Sequence, residues 1–234
     1  MVSALALVAL LGKPVSESLS PRMQNAAFAA RGLDWEYVAC EVEADALEDA
    51  IRGLRALGFR GANVTAPYKL DVARLVDSEL PSINTLVFRP GEMQAHTTDA
   101  AILDGLEFEL AVIVGDGGAA KAFQQALPEA RVLSRRGDWP PDVSEADLVV
   151  HATPVKDSAV VSGLRRGQTL VDLPYPDSAT AEEARAGGAR VLDGREVLVA
   201  QGAASFELWT GVAAPVEVMR RAVGLPGAPA DDSG

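Results

Sequence analysis

The chain has 234 residues, 48% of them hydrophobic, enough for one large or two modest domains with a buried core. A formal net charge of -12 repels nucleic-acid backbones and anionic membrane surfaces, so neither partner is expected. Cys40 is the only cysteine and His96 and His151 are the only histidines, which excludes an intrachain disulfide and any recognisable zinc-ligand spacing, so no metal is expected.

Ala4 to Leu11 is a continuous apolar run ending in Gly12, the form of a fully buried strand. It is too short to span a bilayer and follows no signal-like start, so the cytoplasm is the expected location. A helix is predicted from Pro21, with Ser20 as its N-cap and Gly32 as its stop. Trp35 to Glu41 reads as a strand and Ala44 to Leu57 as an amphipathic helix with Leu47, Ile51, Leu54 and Leu57 on one face.

Gly61 to Lys69 is the stretch around which the chain is organised. Asn63, Val64 and Thr65 end a strand, Pro67 opens a helix, and Lys69 falls in its first turn. A lysine there has its charged form disfavoured by the helix dipole unless an anion or a carboxylate lies nearby. The β-α-β-α-β-α order predicts a parallel sheet, and a hairpin around Arg89-Pro90-Gly91, from Ile83 to Phe88 and Glu92 to Thr97, adds antiparallel strands. Thr98 to Leu106 is predicted as a connecting helix.

Leu110 to Val114 then runs as a strand into Gly115-Asp116-Gly117-Gly118-Ala119-Ala120 and an amphipathic helix. That context lets backbone N–H groups and a helix N-terminus hold a pyrophosphate, with an ordinary tight β-α turn as the alternative. Arg131 to Ser134 is the next strand. About 20 residues past the first glycine, where an acidic residue would hold the ribose 2′-hydroxyl of NAD, stand Arg135 and Arg136, which suit a 2′-phosphate. The alternative is a pair of solvated arginines, one of them partnered by Asp138. Between Arg136 and Leu148 the paired prolines and the lack of apolar periodicity argue against a crossover helix and a further strand. Leu148 to His151, Thr169 to Leu173 and Arg190 to Leu192 are further strands; helices are predicted over 180–186, 197–209 and 216–223, and a disordered tail over 227–234.

The motifs stand in one order. Ser18-Leu19-Ser20-Pro21 with Asn25, Asn63 to Lys69, Asn84-Thr85, Thr98-Asp99, Gly115 to Ala120, Ala152-Thr153-Pro154, Asp172 with Tyr175, and Gln201-Gly202 with Phe206, Leu208, Trp209, Thr210 and Gly211 together resemble the shikimate dehydrogenase family. The resemblance runs from Gly12 to Gly224. It implies NADP-dependent interconversion of 3-dehydroshikimate and shikimate in aromatic amino-acid biosynthesis, with Lys69 and Asp99 catalytic. Substrate binding is expected from Ser18, Ser20, Asn63, Thr65, Asn84, Tyr175 and Gln201. Cofactor binding is expected from Gly115, Asp116, Gly117, Gly118, Ala119 and Ala120, from Ser134, Arg135 and Arg136, and from Ala152, Thr153 and Pro154.

Family members usually carry other residues where this chain has Glu17, Gln24, Thr97, Asp116, Ser134-Arg135-Arg136 and His151. They also usually have the helix and strand that are absent after Arg136. The expectation is therefore an α/β protein of two domains: a mixed-sheet substrate domain over 1–101, completed by 208–234, and a trimmed Rossmann-like NADP-binding domain over 102–207. NADP is expected to bind loosely but in preference to NAD, Asp116 adding repulsion at the pyrophosphate. Quinate/shikimate oxidation and a cofactor-impaired, metabolite-binding relative are the alternatives, and a monomer or homodimer is the expected assembly.

Overall fold

The computed structural model describes residues 5–136, 139 and 141–227. Its first half is a five-stranded sheet made of β1 (Ala6–Gly12), β2 (Trp35–Glu41), β3 (Gly61–Val64), β4 (Thr85–Arg89) and β5 (Glu92–His96), in the order β2-β1-β3-β4-β5. β1 pairs in parallel with β2 and β3, and β4 antiparallel with β3 and β5. The apolar run of β1 is continuous because both faces are covered. Val8 and Leu10 pack with α1 (Ser20–Ala30), α6 (Gly194–Thr210) and α7 (Val216–Ala222). Ala9 and Leu11 pack with α2 (Leu47–Ala56) and α3 (Lys69–Leu75).

The second sheet is wholly parallel, in the order β10-β9-β8-β6-β7, from β6 (Ala111–Val114), β7 (Arg131–Leu133), β8 (Leu148–His151), β9 (Thr169–Asp172) and β10 (Arg190–Leu192). α4 (Gly118–Ala126) covers one face through Phe123, and α5 (Ala179–Ala186) part of the other through Ala181 and Ala184. Between β7 and β8 the described residues form neither helix nor strand, as expected. Val143 and Ala146 from that connection, with Val160, Val161 and Leu164 from the next, cover the face instead. β7 is thereby left as an edge.

α6 joins the halves. Its Val197 lies in the cluster under β6, β8 and β9, whereas Leu198, Val199, Phe206 and Trp209 lie in the cluster under β1, so the helix belongs to both sheets. Trp209 donates its indole N–H to the Leu86 carbonyl at 3.0 Å. A Cβ at Gly61 would come within 2.4 Å of that indole nitrogen, so glycine there is a condition of the docking.

Several local expectations change. Ser20 does not cap α1; the Ser18 hydroxyl accepts from the Ser20 N–H at 3.2 Å, a local side-chain bond that competes with the expected cap. Pro67 lies in a turn before α3, closed by the Tyr68 N–H on the Thr65 carbonyl at 3.0 Å, and Lys69 is the first helical residue. The connection at 98–106 is a 3-10 helix over Asp99–Leu103 rather than an α-helix. α6 begins three residues before the expected Val197, because Asp193 caps it by accepting from the N–H groups of Arg195 and Glu196. Cys40 is half-buried beside the core. Ala4, Asp138 and the tail over 228–234 lie outside the described residues. Among the described residues no helix is long and apolar enough to cross a membrane, and no cluster could hold a metal ion.

Candidate active site

The C-terminal ends of β1 and β3, the start of α3 and the N-terminal half of α6 enclose a cavity of about 190 Å³ between the two sheets. Ser18, Ser20, Asn63, Thr65, Lys69, Asp99, Tyr175 and Gln201 all line it, so eight of the expected residues meet in one place. Gly12 makes this possible: a Cβ there would come within 2.3 Å of the Thr65 methyl, and glycine lets Thr65 lie over the end of β1.

Lys69 and Asp99 are the charged centre. The ammonium donates to both carboxylate oxygens at 2.7 Å, and the side chains are only 17% and 8% exposed. The carboxylate that the position of Lys69 calls for is thus supplied by the chain itself. Asp99 is fixed in turn by the Asn84 amide, which donates to its Oδ1 at 2.9 Å, to Thr98 Oγ1 at 2.9 Å and to Gln201 Oε1 at 3.3 Å. Asn84 Oδ1 accepts from the Thr98 N–H at 2.8 Å. Asn84 does not line the cavity: it stands behind Asp99 and holds it.

Asn63 reaches the cavity with its amide already committed. It donates to the Asn84 carbonyl, Thr85 Oγ1 and Ser205 Oγ at 3.0 to 3.1 Å, and accepts from the Tyr37 hydroxyl at 2.9 Å. Tyr37, Thr85, Thr98 and Ser205 complete a buried polar layer beneath the cavity. Sequence reasoning misses Tyr37 and Ser205. Ser205 has a signal, being one turn beyond Gln201 on a helix whose neighbouring positions are apolar.

Ser18, Ser20, Thr65 and Tyr175, the residues expected to bind the substrate carboxylate, lie together on the rim of the cavity. Burial pushes the Tyr175 phenol above its ordinary pKa although its contact with Ser18 and the Leu19 backbone works the other way, so it stays a hydroxyl donor. Ser18, Thr65 and Tyr175 also line an open recess of about 600 Å³, whose edge carries Lys156 and Arg195.

The glycine loop lies directly over this chemistry. Ala119 lines the substrate-sized cavity, and a Cβ at Gly118 would come within 3.1 Å of Lys69 Cβ. Gly115 has φ +134°, and a Cβ there would meet the Ala152 carbonyl at 2.6 Å, whereas one at Gly117 would meet nothing within 4 Å. No side chain caps the N-terminus of α4 and its first turn carries no acidic residue. Open backbone N–H groups beside a glycine with free space above it fit a dinucleotide pyrophosphate.

A second cavity, about 280 Å³, continues from the loop and is lined by Gly115, Asp116, Ser134, Arg135, Arg136, Thr153 and Pro154 among others. Arg136 pairs with Asp116 at 3.3 Å, so the carboxylate expected to repel a pyrophosphate is partly neutralised by the chain, although that pair is well exposed. His151, fully buried, lies 2.6 Å from Asp172 through Nδ1 and 2.6 Å from the Thr153 hydroxyl through Nε2. Asp172 also accepts from Ser178 Oγ at 2.8 Å, and the arrangement fixes Thr153 at the cavity wall.

Comparison with known proteins agrees with this geometry. Residues 10–85 match the family model of the shikimate dehydrogenase substrate binding domain, and residues 194–223 that of the shikimate 5′-dehydrogenase C-terminal domain. A shikimate dehydrogenase (NADP(+)) from Anaeromyxobacter sp. strain Fw109-5 is 37% identical, the match covering 95% of this chain and 97% of that one. The alignment spans 270 positions, more than the 234 residues of this chain, so the relative carries residues that this chain lacks. Among solved structures, a shikimate dehydrogenase in complex with NADP+ superposes with a TM-score of 0.85 at 28% identity over 95% of this chain and 96% of that one. The Thermus thermophilus shikimate 5-dehydrogenase in complex with NADP(H) and shikimate superposes at 0.82 and 30% identity, over 93% and 98%. With a relative of that identity aligned over nearly its whole length, the chain belongs to the shikimate dehydrogenase family.

Proposed function

We propose that this protein is the NADP-dependent shikimate dehydrogenase that its family membership and site geometry indicate, interconverting 3-dehydroshikimate and shikimate. The observation that carries the reading is the Lys69–Asp99 pair, which forms the floor of a hydroxyl-lined cavity directly under the glycine loop. The domain division follows the two sheets: residues 1–101 bind substrate, 102–207 bind NADP, and the C-terminal segment returns to the first sheet along α6 and α7.

Bound NADPH supplies the hydride. As the ketone carbon receives it, negative charge builds on the oxygen, and the Lys69 ammonium donates a proton there; a positioned acid of this kind contributes ~10²–10⁴ in rate. Asp99 holds the ammonium on line and stabilises its charge. In the oxidative direction the hydroxyl proton leaves through the same pair. Ser18, Ser20, Thr65 and Tyr175 donate hydroxyl hydrogen bonds to the substrate carboxylate. Gln201 and Asp99, both lining the cavity, read ring hydroxyls, and a substrate lacking one of these leaves the buried partners unpaired. The apolar side of the cavity, Leu10, Val64, Leu173 and Val197, keeps water from the reacting carbon.

The test is shikimate-dependent absorbance at 340 nm, run with NADP and with NAD and repeated with quinate. NADP-dependent turnover of shikimate is expected. Shikimate binding without turnover on either cofactor would leave a metabolite-binding protein instead.

A further inference from the structure

The second cavity has an unusual wall. In the absence of helix or strand among the described residues between β7 and β8, the end of β7 has no neighbouring element to close the side beyond Ser134 and Arg135. Trp139 lines the cavity on this connection, 39% exposed. An indole so placed is not core: its ring is open to a cavity that also presents Pro154 and Val155. The Arg135 guanidinium lies 5.5 Å from the ring centroid, within cation–π range.

The two arginines therefore differ. Arg136 is engaged with Asp116, whereas Arg135 has no ion pair among the described residues and lies against an aromatic ring. A guanidinium stacked on a ring keeps its N–H edge free for a phosphate. The cavity combines a flat aromatic face, an apolar side and a cation with no ion pair among the described residues, beside a loop fit for a pyrophosphate. That set matches the adenosine 2′-phosphate end of a dinucleotide.

We infer that Trp139 is the adenine platform of this protein: the indole face receives the adenine ring in place of the missing wall, and Arg135, steadied over the same indole, takes the 2′-phosphate. The inference rests on the NADP reading and deepens it. Base stacking on an aromatic side chain is worth about a factor of ten in affinity on its own. One aromatic ring on a short connection thereby does part of what a helix and strand do.

Intrinsic fluorescence provides a readout independent of turnover. Of the three tryptophans, Trp209 is 1% exposed and Trp35 packs on Phe28 in the first sheet's core, which leaves Trp139 as the indole at the cavity. Titration with 2′,5′-ADP is expected to quench the wild-type emission saturably. Trp139→Leu should lose the quench and weaken 2′,5′-ADP by about tenfold in calorimetry, while Trp139→Phe should stay within about threefold of wild type, an aromatic face being retained. Quenching that persists in Trp139→Leu, or a dissociation constant within about twofold of wild type, overturns the platform. A wild-type protein that binds no adenine nucleotide at all would defeat the NADP reading itself, so the two failures are distinguishable.

Discussion

The two halves of the site are built on opposite plans. Around the first sheet, Asn63, Asn84, Thr85, Thr98 and Ser205 are each no more than 5% exposed, and they hold one another and Asp99 by hydrogen bonds. Around the end of β7, Arg136 and Asp116 pair with 88% and 47% of their side chains exposed, and Trp139 and Arg135 meet at the surface. Under the proposed function, substrate chemistry is set by a prearranged buried network, in which an unpaired group costs ~1–3 kcal/mol. Under the same proposal, cofactor recognition is assembled from exposed groups whose mutual pairing is worth ~0–1 kcal/mol. Damage to the first half should therefore show in both rate and stability, and damage to the second mainly in affinity.

That contrast sets the predictions. The largest effect is expected from Lys69→Ala, which should lower kcat by ~10² or more while shikimate binding, read by calorimetry, changes little; an intact kcat with a raised KM would refute the proton-transfer role. Next, Ser18→Ala with Ser20→Ala should raise KM for shikimate with little change in kcat, each lost bond to a charged group being worth ~1.5–3 kcal/mol. An unchanged KM would place the carboxylate elsewhere. Ser205→Val leaves Asn63 and Thr85 short of a buried partner, and should destabilise the fold by ~1–3 kcal/mol in denaturant titration. A neutral result would mean that the buried layer tolerates the loss of a member.

A smaller effect concerns alkaline pH. Burial pushes the Tyr37 phenol far above its ordinary range. The folded state then keeps a proton that the unfolded state releases above about pH 10, so this contribution is full below pH ~10 and lost as pH rises beyond it. The wild-type denaturation midpoint should fall more steeply above pH ~10 than that of Tyr37→Phe; parallel slopes would contradict the assignment.

What the sequence makes legible follows the same division. β1 and β6 are continuous apolar runs and β8 is one up to His151, and their positions are readable because sheets covered on both faces leave that pattern. Lys69 and Asp99, 30 residues apart, are readable as a pair only through the motifs around them. The role of Asn84 behind Asp99, and of Ser205 beneath Asn63, depends on how α6 crosses the first sheet, and tertiary packing of that kind leaves no local periodicity. Helix starts are displaced where side chains compete for backbone groups, with Ser18 bonding the Ser20 N–H and Asp193 capping α6 early. The pairing of Asp116 with Arg136 joins two loops that only the β6–β7 register brings together.

The contrast itself is tested most directly by calorimetric titration of shikimate, NADP and NAD, run under the same conditions on this protein and on the Anaeromyxobacter relative. The account predicts shikimate affinities within about fivefold of each other, since the buried network is self-contained. It also predicts NADP binding that is weaker in this protein yet still tighter than NAD. NADP binding as tight as the relative's would contradict the claim that the trimmed half weakens cofactor recognition, and equal affinity for NAD would remove the arginines' role.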